Sequence, residues 1–241
     1  GTGLEFVAGD GPVIPRPVQN LKAVQDLKPV NAEEQLGYVG QAIRMVRKEI
    51  KIPLIGFSGA PFTLSSYMVE GGKSKDFTLT KGMMIEAPET WALLMDKVCK
   101  VLIDYLKMQV DAGAQALQIF DSWVGCLSPG DYSEYVLPYT RRVIDAVKGK
   151  GVPVIYFSTG TSSMLNVIKD VGSDVTGFDW RIYLDDAWKT LGYKQPIQGN
   201  LDPSILFAPI PVIRQRVHDI LRRAGGRPGH IFNLGHGILQ H

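Results

Sequence analysis

The apolar positions of this chain fall into two alternating kinds of segment. Short runs rich in Val, Ile and Phe occur at residues 52–57, 115–120, 153–158, 174–179, 195–199 and 230–234. They show little polar alternation, as strands buried on both faces of a parallel sheet do. Between them lie longer stretches near 32–49, 88–112, 131–149, 161–171, 183–190 and 209–224 that read as helices. Within 91–110, Trp91, Leu94, Val98, Val101, Leu102 and Tyr105 recur at three- and four-residue spacing, one apolar stripe. Pro88 stands at the start of that stripe and Gly113 just past its end. Asn31 precedes Ala32-Glu33-Glu34, a capping pattern whose acids complement the helix dipole. Ser128 or Asp131 can cap the helix that Gly149 and Gly151 close.

This alternation predicts an α/β protein of about six β/α units, with no composition shift or linker dividing it. Two architectures fit: an open doubly wound sheet, or a (β/α)8 barrel lacking units. No G-x-G-x-x-G follows a strand, which counts against a dinucleotide-binding sheet. The 241 residues suffice for one large domain, and 45% apolar with 21% charged residues is ordinary globular composition. A net charge of +2 gives no argument for nucleic acid or a membrane as partner. Two cysteines, Cys99 and Cys126, are too few for a disulfide framework and fit a reducing cytoplasm or a plastid stroma. No apolar run of about 18 residues predicts a transmembrane helix, and no signal-peptide pattern opens the chain. Gly1 in place of methionine, and the stop at His241, read as cuts.

In parallel α/β folds the ligand lies at the C-terminal ends of the strands. Those ends read Phe57-Ser58-Gly59, Phe120-Asp121-Ser122, Phe157-Ser158-Thr159, Phe178-Asp179-Trp180, Gly199-Asn200-Leu201-Asp202 and Leu234-Gly235-His236. Phenylalanine beside a polar group at four of the six suits a large, flat, partly apolar ligand, although core packing explains most such phenylalanines equally well. The first strand empties into GFSGAPFTLSSYMVEGG, residues 56–72, a small-residue segment in which Gly56 and Gly59 permit close backbone approach and Pro61 can open a helix. His236 stands between Gly235 and Gly237, and its imidazole can make a charge-assisted hydrogen bond to a carboxylate. His218 falls in a helix, His230 opens a strand, His241 ends the chain, and none pairs with a cysteine at metal spacing. Asp121 and Asp179 can accept from a ligand N–H or pair with a neighbour such as Arg181. The structural role is the better reading for both.

The wording of these segments is specific. GFSGAPFTLSSYMVEGG, AGAQALQIFDSWVGCLSP (112–129), VIYFSTGT (154–161), GFDWR (177–181) with QGNLDP (198–203), and HIFNLGHGIL (230–239) occur in order along the chain. Together they resemble the uroporphyrinogen decarboxylase family, essentially end to end. The resemblance implies a (β/α)8 barrel, here incomplete, with residues 1–241 as a single partial barrel domain and residues 1–30 as a long loop. It implies decarboxylation of the four acetate groups of uroporphyrinogen III to give coproporphyrinogen III, without a cofactor or metal, by a homodimer. It implies that Tyr67, Ser122 and His236 bind the substrate, with Gly56, Phe120 and Asp121 lining the cleft. It further implies a central aspartate and an R-Q-A-G-R-Y segment upstream of Gly1, so residues 1–241 alone are expected to be inactive and aggregation-prone.

Two other readings stay open. A corrinoid or thiol methyltransferase of the same barrel superfamily would bind zinc through a His-x-Cys pair and a later Cys, where this chain has Tyr156-Phe157-Ser158. A non-catalytic barrel would bind tetrapyrrole without releasing CO2.

Overall fold

The computed structural model describes residues 3–7 and 11–239. A short antiparallel hairpin, β1 (Glu5–Val7) and β2 (Gly11–Val13), comes first. The helices α1 (Leu21–Gln25) and α2 (Ala32–Glu49) follow, then β3 (Ile55–Gly59), α3 (Pro61–Glu70), α4 (Thr78–Glu86) and α5 (Pro88–Asp111). Next come β4 (Ala116–Asp121), α6 (Pro129–Tyr135), α7 (Leu137–Lys148), β5 (Val154–Ser158) and the single turn α8 (Leu165–Ile168). The chain continues through β6 (Val175–Phe178), α9 (Leu184–Thr190), β7 (Ile197–Leu201), α10 (Ile210–Ala224) and β8 (His230–Leu234). Strands β3 to β8 form one six-stranded sheet in sequence order, and every pairing is parallel. Consecutive parallel neighbours joined by helical crossovers are the (β/α) barrel arrangement.

The helices cover the outer face of this sheet. Trp91, Leu94, Met95, Cys99, Leu102 and Leu106 of α5 are buried in the main core against residues of β4, β5 and α7. A second apolar cluster joins Phe178, Leu184, Trp188, Ile197, Leu201 and Ile220 across β6, α9, β7 and α10. The opposite face carries an aromatic row. Phe57 meets Phe120 edge-on at 6.0 Å, and Phe120 meets Phe157 at 5.7 Å.

Several elements differ from the sequence reading, each for a local reason. The first strand of the sheet begins at Ile55 rather than residue 52, because Pro53 has no N–H and Leu54 bonds to Gln115 instead. The segment 56–72 is a strand and a ten-residue helix, not an extended loop, with only Ala60 between them. Pro61 opens that helix, and Gly71 closes it in the left-handed region at φ 78°. The helix read over 131–149 is two helices. It breaks at Val136 (φ −126°), where Pro138 cannot continue the ladder. Residues 162–171 wind as 3-10 turns around the single α8 turn. Within residues 1–30, read as a loop, β1 pairs with β2 and α1 forms; Ile14 N donates to Gly71 O at 2.8 Å and Val18 N to Met68 O at 2.8 Å. His241 lies outside the described residues.

Leu94 has no exposed surface and sits where α5 meets the core. Leu94→Ala should therefore lower the unfolding free energy by about 2–5 kcal/mol, as cavity formation does. Urea titration checks this. A loss below about 1 kcal/mol would mean that the α5 layer is not close-packed.

Candidate active site

The loops that leave the parallel strands are joined to one another around the rim. Trp123, just past β4, stacks on the Tyr67 ring of α3 at 4.9 Å and 17°. Phe77 packs on the same indole at 5.2 Å. The backbone carbonyl of Ser122 accepts from the Thr159 hydroxyl at the end of β5. Gly160 N donates to Asp179 Oδ2 at 2.7 Å, linking β5 to β6. Asp179 also takes the Arg181 guanidinium and its backbone N–H, and the guanidinium lies over Trp180 at 4.5 Å. Gly235, past β8, donates to Leu201 O at 2.7 Å and packs against Trp180. A continuous run of contacts thus leads from Tyr67 through Ser122 and Trp180 to the loop that carries His236.

Each expected binding residue has a distinct setting. Tyr67 is half-buried one helical turn before Gly71, and burial pushes its phenol above its ordinary pKa. It stays a donor, and its single proton goes to Pro12 O at 2.8 Å. Engaging a carboxylate through that proton means exchanging Pro12 for the ligand. Ser122 is half-buried immediately after β4. His236 is exposed two residues past β8. A Cβ at Gly235 would come within 2.7 Å of Trp180 N, so this glycine admits a neighbouring backbone and not a ligand.

The additional cleft-lining expectations fare differently. Phe120 lies in the aromatic row, half-buried between Phe57 and Phe157. Gly56 does not line the cleft. It is the second residue of β3, and a Cβ there would meet Gln109 Oε1 at 2.7 Å and Ala114 Cβ at 3.1 Å. It serves the packing of α5 on the sheet. Asp121 does not line the cleft either. It is fully buried, accepting from Thr63 Oγ1 at 2.7 Å and from Tyr156 Oη at 2.7 Å. The alternation of the strand turns it outward, toward the helices. Asp179 is also buried, with both oxygens hydrogen-bonded.

A family model described as "Uroporphyrinogen decarboxylase (URO-D)" matches residues 1–241. The chain belongs to the uroporphyrinogen decarboxylase family. It is 53% identical over 240 residues to the uroporphyrinogen decarboxylase of Carboxydothermus hydrogenoformans, covering 99% of this chain and 69% of that relative. It is 52% identical over 241 residues to that of Sorangium cellulosum, with 99% and 69% covered. Among solved structures, a methyltransferase from Methanosarcina mazei superposes with a TM-score of 0.82 at 18% identity, covering 99% of this chain and 70% of that one. At that identity the likeness is one of fold, and it places the chain among the barrels.

Along this rim, sequence reasoning missed Trp123, although it stands in the same I-F-D-S-W segment as Ser122. It also missed Thr63 and Tyr156, whose pairing with Asp121 joins residues 58 and 35 positions apart and leaves no periodic signal. A shallow pocket of about 450 Å³ is lined by Trp180, Arg181, Ile182, Tyr183 and Asp186 beside the His236 loop. A larger cavity, about 530 Å³, lies among Gln19, Leu21, Val69, Leu79, Met83 and Thr90. None of Tyr67, Ser122 and His236 lines the larger cavity, although Val69 is two positions from Tyr67 on α3.

Burial raises the Asp121 carboxyl from its ordinary 3.8 to about 6, against the lowering effect of its hydrogen bonds from Tyr156 and Thr63. The folded state then holds a proton that the unfolded chain has already lost between pH 4 and 6. Stability from this group is greatest below about pH 4 and falls as pH rises to about 6, by roughly 3 kcal/mol in all. Asp121→Asn should remove that component of the pH dependence. Chemical denaturation at pH 4 to 7 tests it: parallel stability profiles for the two proteins would show that Asp121 titrates normally.

Proposed function

We propose that this protein is a uroporphyrinogen decarboxylase of porphyrin biosynthesis, converting uroporphyrinogen III to coproporphyrinogen III, and that residues 1–241 supply its binding rim. The observation that carries this reading is identity of about half the residues to uroporphyrinogen decarboxylases over 99% of the chain. The reaction removes four acetate carboxyls as CO2. Protonating a pyrrole α-carbon makes an iminium. The bond to the carboxylate then breaks, its electron pair neutralises the iminium, and CO2 leaves behind an exocyclic methylene. That methylene takes up a proton to become methyl as the ring proton departs. The substrate is its own electron sink, so the scheme calls on no cofactor or metal.

The protein's share is to hold a flexible, eight-fold anionic macrocycle in reactive orientation. Tyr67 and Ser122 offer hydroxyls to substrate carboxylates, and His236 offers an imidazole N–H. The Trp123 and Tyr67 rings, with the row of Phe57, Phe120 and Phe157, give apolar surface to the pyrroles. Asp121 and Asp179 are already hydrogen-bonded and buried, which suits them to framing the site and not to contacting pyrrole N–H groups. The methyltransferase likeness supports the barrel alone, since β5 presents Tyr156 and Ser158 where a zinc-binding pair would stand. A homodimer in a reducing cytoplasm completes the proposal. The free thiols of Cys99 and Cys126 fit that compartment, and no helix among the described residues is long and apolar enough to cross a membrane.

His236→Asn should weaken binding by about 1.5–3 kcal/mol, the value of a charge-assisted hydrogen bond, or roughly ten- to a hundred-fold in KM. Partly decarboxylated porphyrinogens should accumulate, because each must reorient before its next acetate reacts. Products separated by carboxylate number, at matched folded-protein concentration, check this. An unaltered profile with only a lower Tm would make His236 a turn residue.

A further inference from the structure

The helix that carries Tyr67 is anchored at its start by another element. Ala60 stands at the N-cap of α3 and offers no side-chain hydrogen bond. The end of β4 holds the helix start instead: Phe120 O accepts from Ala60 N at 2.7 Å, and Asp121 Oδ1 accepts from Thr63 Oγ1 at 2.7 Å. The other carboxylate oxygen accepts from Tyr156 Oη of β5 at 2.7 Å, and Tyr156 meets Tyr132 of α6 at 3.2 Å. One fully buried carboxylate therefore ties α3, β4, β5 and α6 together.

Thr63 and Tyr67 are four residues apart on α3 and share a face. Ser122 is the next residue after Asp121, and Trp123, the residue after that, stacks on Tyr67. The Thr63–Asp121 bond and the Tyr67–Trp123 stack are thus two points of attachment between the same two segments, and two points fix an orientation that one leaves free. Burying a carboxylate costs stability unless its partners are well placed, and apolar packing would fill the same volume at lower cost. Fixing geometry is what the carboxylate offers and apolar packing does not.

We propose that Asp121 is a positioning residue: through Thr63 it sets Tyr67 of α3 against Ser122, the residue after β4, for recognition of substrate carboxylates. The inference rests on the reading of Tyr67 and Ser122 as binding groups given above.

The test uses the protein expressed from its full reading frame. Thr63→Val removes the hydroxyl but keeps the volume, Thr63→Ser restores the hydroxyl, and Tyr67→Phe removes the binding phenol. Thr140→Val is the control for removal of a buried threonine hydroxyl, since Thr140 Oγ1 is buried in α7 with no hydrogen-bond partner among the described residues. KM and kcat for uroporphyrinogen III are measured beside Tm. Thr63→Val should raise KM about five- to ten-fold, as loss of a hydrogen bond to a charged group that orients the site would. Its kcat should change less than its KM, Thr63→Ser should return KM to near the parent value, and Thr140→Val should leave KM unaltered. If Thr63→Val lowers Tm without raising KM, or if Thr63→Ser fails to restore KM, the positioning role is overturned. The site reading stands or falls separately on Tyr67→Phe: a raised KM there, with none in Thr63→Val, removes only the role of Asp121.

Discussion

Parallel pairing of six consecutive strands is the constraint on which the rest of this molecule depends. Because every strand of the main sheet points the same way, every strand exit lies on one rim and every helix must return along the outside. The chain then has to satisfy the polar groups of six exits in one crowded place. It does so by bonding the exits to one another: Ser122 to Thr159, Gly160 to Asp179, and Leu201 to Gly235. The candidate binding residues stand along this run because the run is where the strands end.

Two buried carboxylates hold the rim, each through a different set of partners. Asp179 accepts from the Arg181 guanidinium and from the backbone N–H groups of Gly160 and Arg181. Asp121 has two hydroxyl donors from side chains and no ion-pair partner among the described residues, so burial dominates and its carboxyl rises to about 6. Neither has the exposure needed to meet a large ligand directly. Their contribution is to make the neighbouring, more accessible residues stand in defined positions, which is what discrimination among eight similar carboxylates on one macrocycle demands.

The strands were legible in the sequence because burial on both faces leaves continuous Val, Ile and Phe runs. Their ends shifted where a proline removed a donor, as at Pro53. Helix α5 was legible through its stripe and its bounding Pro88 and Gly113, whereas α3 was hidden among Gly, Ser, Thr and Pro, residues that elsewhere signal loops. Tyr67, Ser122 and His236 stood out only through the wording of whole segments, since a tyrosine, a serine or a histidine alone carries too many ordinary uses. Gly235 shows the limit of local reasoning. Its need for glycine was visible, but the partner that requires it, Trp180, is 55 positions away in sequence and adjacent only in the fold. The Thr63–Asp121–Tyr156 cluster was illegible for the same reason.

The central claim is that Tyr67, Ser122 and His236 recognise one tetrapyrrole together at this rim. A crystal structure of the full-length protein with coproporphyrinogen bound tests it most directly. The account predicts the macrocycle against the Phe57–Phe120–Phe157 row, with its carboxylates within hydrogen-bond distance of the Tyr67 phenol, the Ser122 hydroxyl and the His236 imidazole, and with Tyr67 released from Pro12. A macrocycle seated elsewhere, such as in the cavity among Val69, Met83 and Thr90, or one that leaves all three side chains free, would contradict it.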